Sequence, residues 1–127
     1  MKVLVTGANG YIGSKVVSAL CDRGVSVIAA DVSHNNVDVR AEQVKVNIFD
    51  SEENWYAYFG EPDICLHLAW RNGFVHNSDT HMGDLSAHYH FLTNLISHGL
   101  KQIAVMGSMH EVGYWEGAID EDTPCKP

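Results

Sequence analysis

Thr6-Gly7-Ala8-Asn9-Gly10-Tyr11-Ile12-Gly13 settles the architecture of this chain. Before it, Lys2 to Thr6 is a short β-branched run closed by glycine, the pattern of a buried strand. After it, Ile12, Val16, Ala19 and Leu20 recur at helical spacing from Tyr11 to Arg23, and Gly24 stands where a helix takes a C′ glycine. The sequence therefore predicts a strand, a tight glycine turn and a helix in its first 24 residues.

Further along, Val25 to Ala30 reads as a second strand ending in Asp31, and Val32 to Glu42 as a loop or short helix. Period-two alternation through Val44, Val46 and Ile48 predicts a third strand from Gln43 to Phe49. Asp50 and Glu53 frame a capping box for a short aromatic helix, Glu52 to Phe59. A fourth strand, Asp63 to Ala69, follows Gly60 and Pro62. A long helix from Thr80 to His98 is expected to bury the stripe Leu85, Tyr89, Leu92 and Ile96, with Gly99 capping it. Gln102 to Met106 makes a fifth strand, and Gly107 to Pro127 reads as an irregular acidic tail. Strands alternating with helices imply right-handed βαβ units: an α/β protein with a doubly wound parallel sheet of about five strands. Such a sheet binds ligands beyond the carboxyl ends of its strands.

At that edge Gly7 permits the sharp turn out of the strand, Gly10 lets a diphosphate reach main-chain N–H groups, and Gly13 lets the helix pack close to the sheet. The positive end of the helix dipole then faces the phosphates. Asp31 lies 18 residues beyond Gly13, where the ribose-binding carboxylate of a dinucleotide site is expected. A carboxylate accepts from both ribose hydroxyls and repels a 2′-phosphate, so the expected cofactor is NAD rather than NADP. Asn47 and Ile48, after the third strand, are placed to meet adenine with an amide and an aliphatic wall.

The chain has 127 residues, the span of one domain, and is 46% hydrophobic and 19% charged, which excludes a disordered linker. Eight Lys plus Arg against sixteen Asp plus Glu leave a net charge of −8, unfavourable for nucleic acid or an anionic membrane. Cys21, Cys65 and Cys125 are odd in number and form no CxxC, so reduced thiols in a cytoplasmic protein are expected. No metal site is expected either. His88 and His90 point to different faces of the long helix, and His81 and His88 stand two turns apart. Trp55, Tyr56, Tyr58 and Phe59 read as packing, and Glu116, Asp120, Glu121 and Asp122 as a solvated face.

Four stretches carry a resemblance that covers nearly the whole chain: Thr6 to Gly13; Asp31; His67-Leu68-Ala69-Trp70; and Gly107-Ser108-Met109-His110-Glu111-Val112-Gly113. Together they resemble the extended short-chain dehydrogenase/reductase family, the NAD-dependent nucleotide-sugar epimerases and dehydratases. The third looks like that family's HxAA-type segment after strand four, and the fourth its SSxxVYG-type segment after strand five. The resemblance implies a Rossmann-like NAD(P)-binding domain over residues 1–127, with cofactor contacts at Gly7, Asn9, Gly10, Tyr11, Ile12, Gly13, Asp31, Asn47, Ile48, Leu68, Ala69 and Trp70. It implies a catalytic role for Ser108, whose hydroxyl would assist a tyrosine in moving a proton at the reacting sugar oxygen.

Trp70, Arg71, His110 and Glu111 depart from the family's usual residues and read as substrate-pocket contacts of a subfamily. Gly83-Asp84-Leu85 departs from its Asn-Val, so that cofactor contact is not carried over. The family's YxxxK pair would fall just beyond Pro127; Tyr114 is followed four residues on by Ala118, not lysine. The chain thus reads as the N-terminal, cofactor-binding part of a longer enzyme that transfers hydride between NAD and a sugar carbon of a nucleotide-sugar substrate. Alone it would bind cofactor without turnover. Two alternatives stay open: a non-catalytic dinucleotide-sensing module, and a complete short chain that forms a homodimer through the open edge of its last strand.

Overall fold

The computed structural model describes residues 1–126. It contains β1 (Lys2–Thr6), α1 (Tyr11–Asp22), β2 (Ser26–Asp31), β3 (Glu42–Lys45), α2 (Trp55–Tyr58), β4 (Ile64–His67), α3 (Thr80–Ser97) and β5 (Gln102–Val105), then a 3₁₀ turn, Met109–Glu111. The five strands form one all-parallel sheet in the order β3-β2-β1-β4-β5. The order reverses between β1, which pairs with β2, and β4, so the doubly wound arrangement expected from the alternation is present.

Strand alternation divides the core. Val3, Val5, Val27 and Ala29 face α1 and pack with Val17, Leu20 and Cys21. Leu4, Ile28, Ala30 and Cys65 face the other way, against Trp55, Phe59, Phe91 and Leu95 of α2 and α3 and their flanks. Val32 to Glu42 contains no helix. Its buried Val37 and Ala41 close the α1 side of the core instead. Both long helices end in Schellman motifs. Gly24 (φ +70°) donates to Cys21 and Val25 to Leu20; Gly99 (φ +125°) donates to Ile96 and Leu100 to Leu95.

Three expectations need correction. First, β3 ends at Lys45, because Asn47 begins a turn in which its Oδ1 accepts from Phe49 N and its carbonyl from Asp50 N. Second, α2 starts at Trp55, not Glu52. Asn54 is its cap, accepting from Ala57 N at 2.9 Å, while Asp50 is engaged by the Asn47 amide.

Third, the stripe of α3 turned to the sheet is Asp84, His88, Phe91 and Leu95. Leu85 and Tyr89 are 54% and 65% exposed, and Ile96 is exposed too. The helix carries apolar residues on two faces, and polar groups on the sheet-facing one outweigh the apolar count because Asp84 pairs with Arg71 and His88 with the buried His67. Accordingly, Phe91→Ala should cost about 3–5 kcal/mol and Leu85→Ala within about 0.5 kcal/mol, read from urea denaturation midpoints. The reverse ranking would contradict this stripe.

Candidate functional site

The glycine turn is built by close approach. Gly7 has φ +66°, and a Cβ there would lie 2.7–2.8 Å from the backbone of Leu68 and Ala69 at the end of β4. A Cβ on Gly13 would collide with the carbonyl oxygen of Gly7. Gly10 differs: its only neighbour within reach is Gly7 O at 3.2 Å, so the space over it is open. Gly10 also stands at the N-cap of α1 and makes no side-chain cap. The N–H groups of Tyr11, Ile12 and Gly13 are therefore the helix's orphan donors, and no acidic side chain lies in its first turn.

Asp31 turns towards this loop, its Oδ2 accepting from Asn9 N at 3.0 Å. Asn9 ties the following loop down: its amide nitrogen donates to Ser33 Oγ at 2.8 Å, and its oxygen accepts from Asn36 N at 2.8 Å. Between the turn, β2, β3 and β4 lies a cleft of about 280 Å³. Gly7, Gly10, Asp31, Asn47, Ile48, Leu68, Ala69 and Trp70, all singled out in the sequence, line it together.

The other candidates lie outside it. Asn9 and Tyr11 edge a neighbouring groove beside α1; Ile12 is half exposed, and Gly13 is buried beneath the turn. Asn47 has its carboxamide engaged with Asp50 and Phe49 N. Ser108 lies past β5, away from the cleft. It forms a capping box at the 3₁₀ turn, its Oγ accepting from His110 N at 3.2 Å and its N–H donating to Glu111 Oε1 at 2.7 Å. The hydroxyl proton is left to donate.

Sequence reasoning missed Phe49 as part of the wall and read Arg71 only as a substrate-pocket contact. Phe49 and Arg71 line the cleft, Arg71 lying 5.2 Å over the Phe49 ring. Arg71 also grips the buried Asp84 with two nitrogens, Nε to Oδ2 at 2.7 Å, and this pairing holds the Asp84 carboxyl below its ordinary range. Beneath them, Thr6 Oγ1 is 2.9 Å from His67 Nδ1, and His67 Nε2 is 2.8 Å from His88 Nδ1. Burial, then the neighbouring His88, pushes His67 down to about 4. Burial also lowers His88, against the pull of Asp84. Only the place of His67 at the head of the HxAA-type segment hinted at this pair.

The family model for the NAD dependent epimerase/dehydratase family matches residues 3–127. A curated relative, dTDP-6-deoxy-L-talose 4-dehydrogenase (NAD(+)) of Aggregatibacter actinomycetemcomitans, is 37% identical over 141 aligned positions, covering 100% of this chain and 48% of the relative. The chain thus spans about half the length of that relative. Among solved structures, a UDP-glucose 4-epimerase of Thermus thermophilus in complex with NAD superposes with TM-score 0.79 at 25% identity, over 100% of this chain and 45% of that one. A Thermotoga maritima UDP-glucose 4-epimerase with UDP-glucose gives TM-score 0.80 at 24% identity over the same shares, and this likeness is one of fold.

Both histidines are held neutral by the fold, so the unfolded chain takes up protons first as pH falls below the ordinary histidine range. Stability present above about pH 6.5 is lost as pH falls towards about 4. Urea denaturation of this chain should show a loss approaching about 1.4 kcal/mol per pH unit for His67 in that window, with His88 acting in the same direction, reduced in His67→Gln. A flat profile would mean that the pair is not neutral in the native state.

Proposed function

The chain belongs to the NAD-dependent epimerase/dehydratase family, and we propose that it is the cofactor-binding portion of an enzyme that moves hydride between NAD and a carbon of a nucleotide-linked sugar. One observation carries the reading: an open space over Gly10, fronted by three orphan N–H donors, with a carboxylate on the neighbouring strand turned towards the same turn. That donor set fits a diphosphate, and Asp31 fits ribose hydroxyls while repelling a 2′-phosphate. NAD, when bound, supplies the hydride acceptor. The chain's own residues bind and orient: amides 11–13 for the phosphates, Asp31 for the ribose, Ile48 and Trp70 for the flanks of the cleft.

Relatives support the cofactor and substrate class. One is named for NAD(+) and a dTDP-linked deoxysugar, and another was solved with NAD. We assign Ser108 the role of donating a hydrogen bond from its free hydroxyl to the reacting sugar oxygen, which assists a tyrosine in moving the proton there, with its cap holding the side chain's orientation. A cytoplasmic location goes with this reading, and among the described residues no helix is long and apolar enough to cross a membrane.

Asp31→Ala should weaken NAD binding at least about tenfold in calorimetry of this chain, the loss of about 1.4 kcal/mol expected for a charged hydrogen-bond acceptor. Unchanged affinity would remove the ribose assignment. In a protein that carries this chain together with its substrate-binding half, Ser108→Ala should lower kcat about 100-fold with KM little changed. Full activity would refute its role.

A further inference from the structure

The pair His67–His88 is not among the residues lining the cleft, yet four parts of the fold converge on it. Thr6, the last residue of β1 and the first before the glycine turn, bonds to His67. From α3, His88 bonds to His67, and Phe91 stacks on the His67 ring with centroids 5.7 Å apart. From beyond β3, Phe49 meets His88 edge-on at 4.9 Å. From the segment after β4, Trp70 stacks on His88 at 5.4 Å and 20°, and its other neighbour is His81 at 5.3 Å. His81, Asp84 and His88 lie on successive turns of α3, so Trp70 is held between two imidazoles while Arg71 is held by the carboxylate between them.

The charged and titratable groups around the pair are therefore Arg71 from the segment after β4 and His81 and Asp84 from α3. Thr6, Phe49, Trp70 and Phe91 complete the surroundings without charge. Two imidazoles 2.8 Å apart need one donor and one acceptor nitrogen. When His88 takes a proton from solvent, both its nitrogens become donors, and the charge lies one helical turn from Asp84. The carboxylate then has two cations to choose between. Pairing with His88 frees Arg71, and turning the ring towards Asp84 unstacks Trp70. Both are wall residues of the cleft.

We propose that the His67–His88 pair is a pH-sensitive positioning device. Neutral, it holds Trp70 and Arg71 in the wall of the cleft; protonated at His88, it releases them and weakens dinucleotide binding. This rests on the cofactor reading of the cleft, and His88 acts through Trp70 without touching the ligand. Affinity is full above the ordinary histidine range and falls as pH drops through the depressed value of His88.

The test has two readouts on this chain between pH 7.5 and 4.5, at micromolar protein because its net charge vanishes near pH 5.3. The first is NAD affinity. The second, without NAD, is the Trp70 emission, isolated by subtracting the spectrum of Trp70→Phe. Wild type should lose at least about tenfold in affinity across the range, with the Trp70 emission changing at the same midpoint. His88→Gln, whose amide still bonds to His67 but cannot titrate, should lose less than about twofold and show no emission midpoint. Should His88→Gln fail to fold, His88→Asn, which also cannot titrate, makes the same comparison.

A pH-independent affinity in wild type, an unmoving Trp70 emission, or an equal loss in the His88 variant would each overturn the proposal. Absence of NAD binding at every pH would overturn the cofactor reading instead, and the Trp70 emission would then decide the device.

Discussion

The approach of Gly7 to the Leu68–Ala69 peptide governs the carboxyl edge of the sheet. No side chain fits there, and the backbone must adopt a positive φ. That approach lets the ends of β1 and β4 close on each other, with Leu68 N donating to Thr6 O and Ala69 N reaching Thr6 Oγ1. It also sends the chain back under itself, so that Gly13 seats α1 on the turn and aims its first N–H groups across the carboxyl edge. The direction of the crevice and the helix dipole facing it follow from the absent Cβ atoms at positions 7 and 13, and Asp31 is tied to the turn through Asn9 N.

The sheet's two faces solve burial differently. On the α1 side, valines and alanines pack without polar interruption, and the connection from β2 to β3 needs no helix because Val37 and Ala41 close the layer. On the other side, α3 buries a polar first half and an apolar second half along one stripe. Phe91 and Leu95 supply hydrophobic contact, while Asp84 and His88 are kept inside by Arg71 and His67. Buried polar groups of this kind are tolerated only when partnered, and the partners come from the segment leaving β4. The wall of the cleft is thus fixed by side chains of a helix that does not otherwise line it.

Local signals in the sequence were enough for most elements. Glycines 24 and 99 end the two long helices as their positions predict, and short apolar runs bounded by turn residues, with alternation in the third, located all five strands. The failures have physical causes. Asn47 and Asn54 each use a side-chain oxygen to redirect or cap the backbone, which shortens β3 and delays α2, and nothing in hydrophobic periodicity reports that. On α3, apolar residues occupy two faces, and only the pairing of Asp84 and His88 with residues distant in sequence decides which face is buried. The same applies at the cleft. Eight lining residues were legible from position after a strand and Arg71 as a substrate-pocket contact, whereas Phe49 was not, because its place depends on Arg71 and, through it, on Asp84.

The sharpest check of the cofactor cleft is a map of backbone amide chemical shifts in this chain as NAD is added. Perturbations should concentrate at Gly10 to Gly13, at Asp31 and Val32, and at Leu68 to Arg71, with the α1-facing valines of β1 and β2 unmoved. Shifts confined to the groove between α3 and the segment following β3, or no saturable shifts at all, would contradict it.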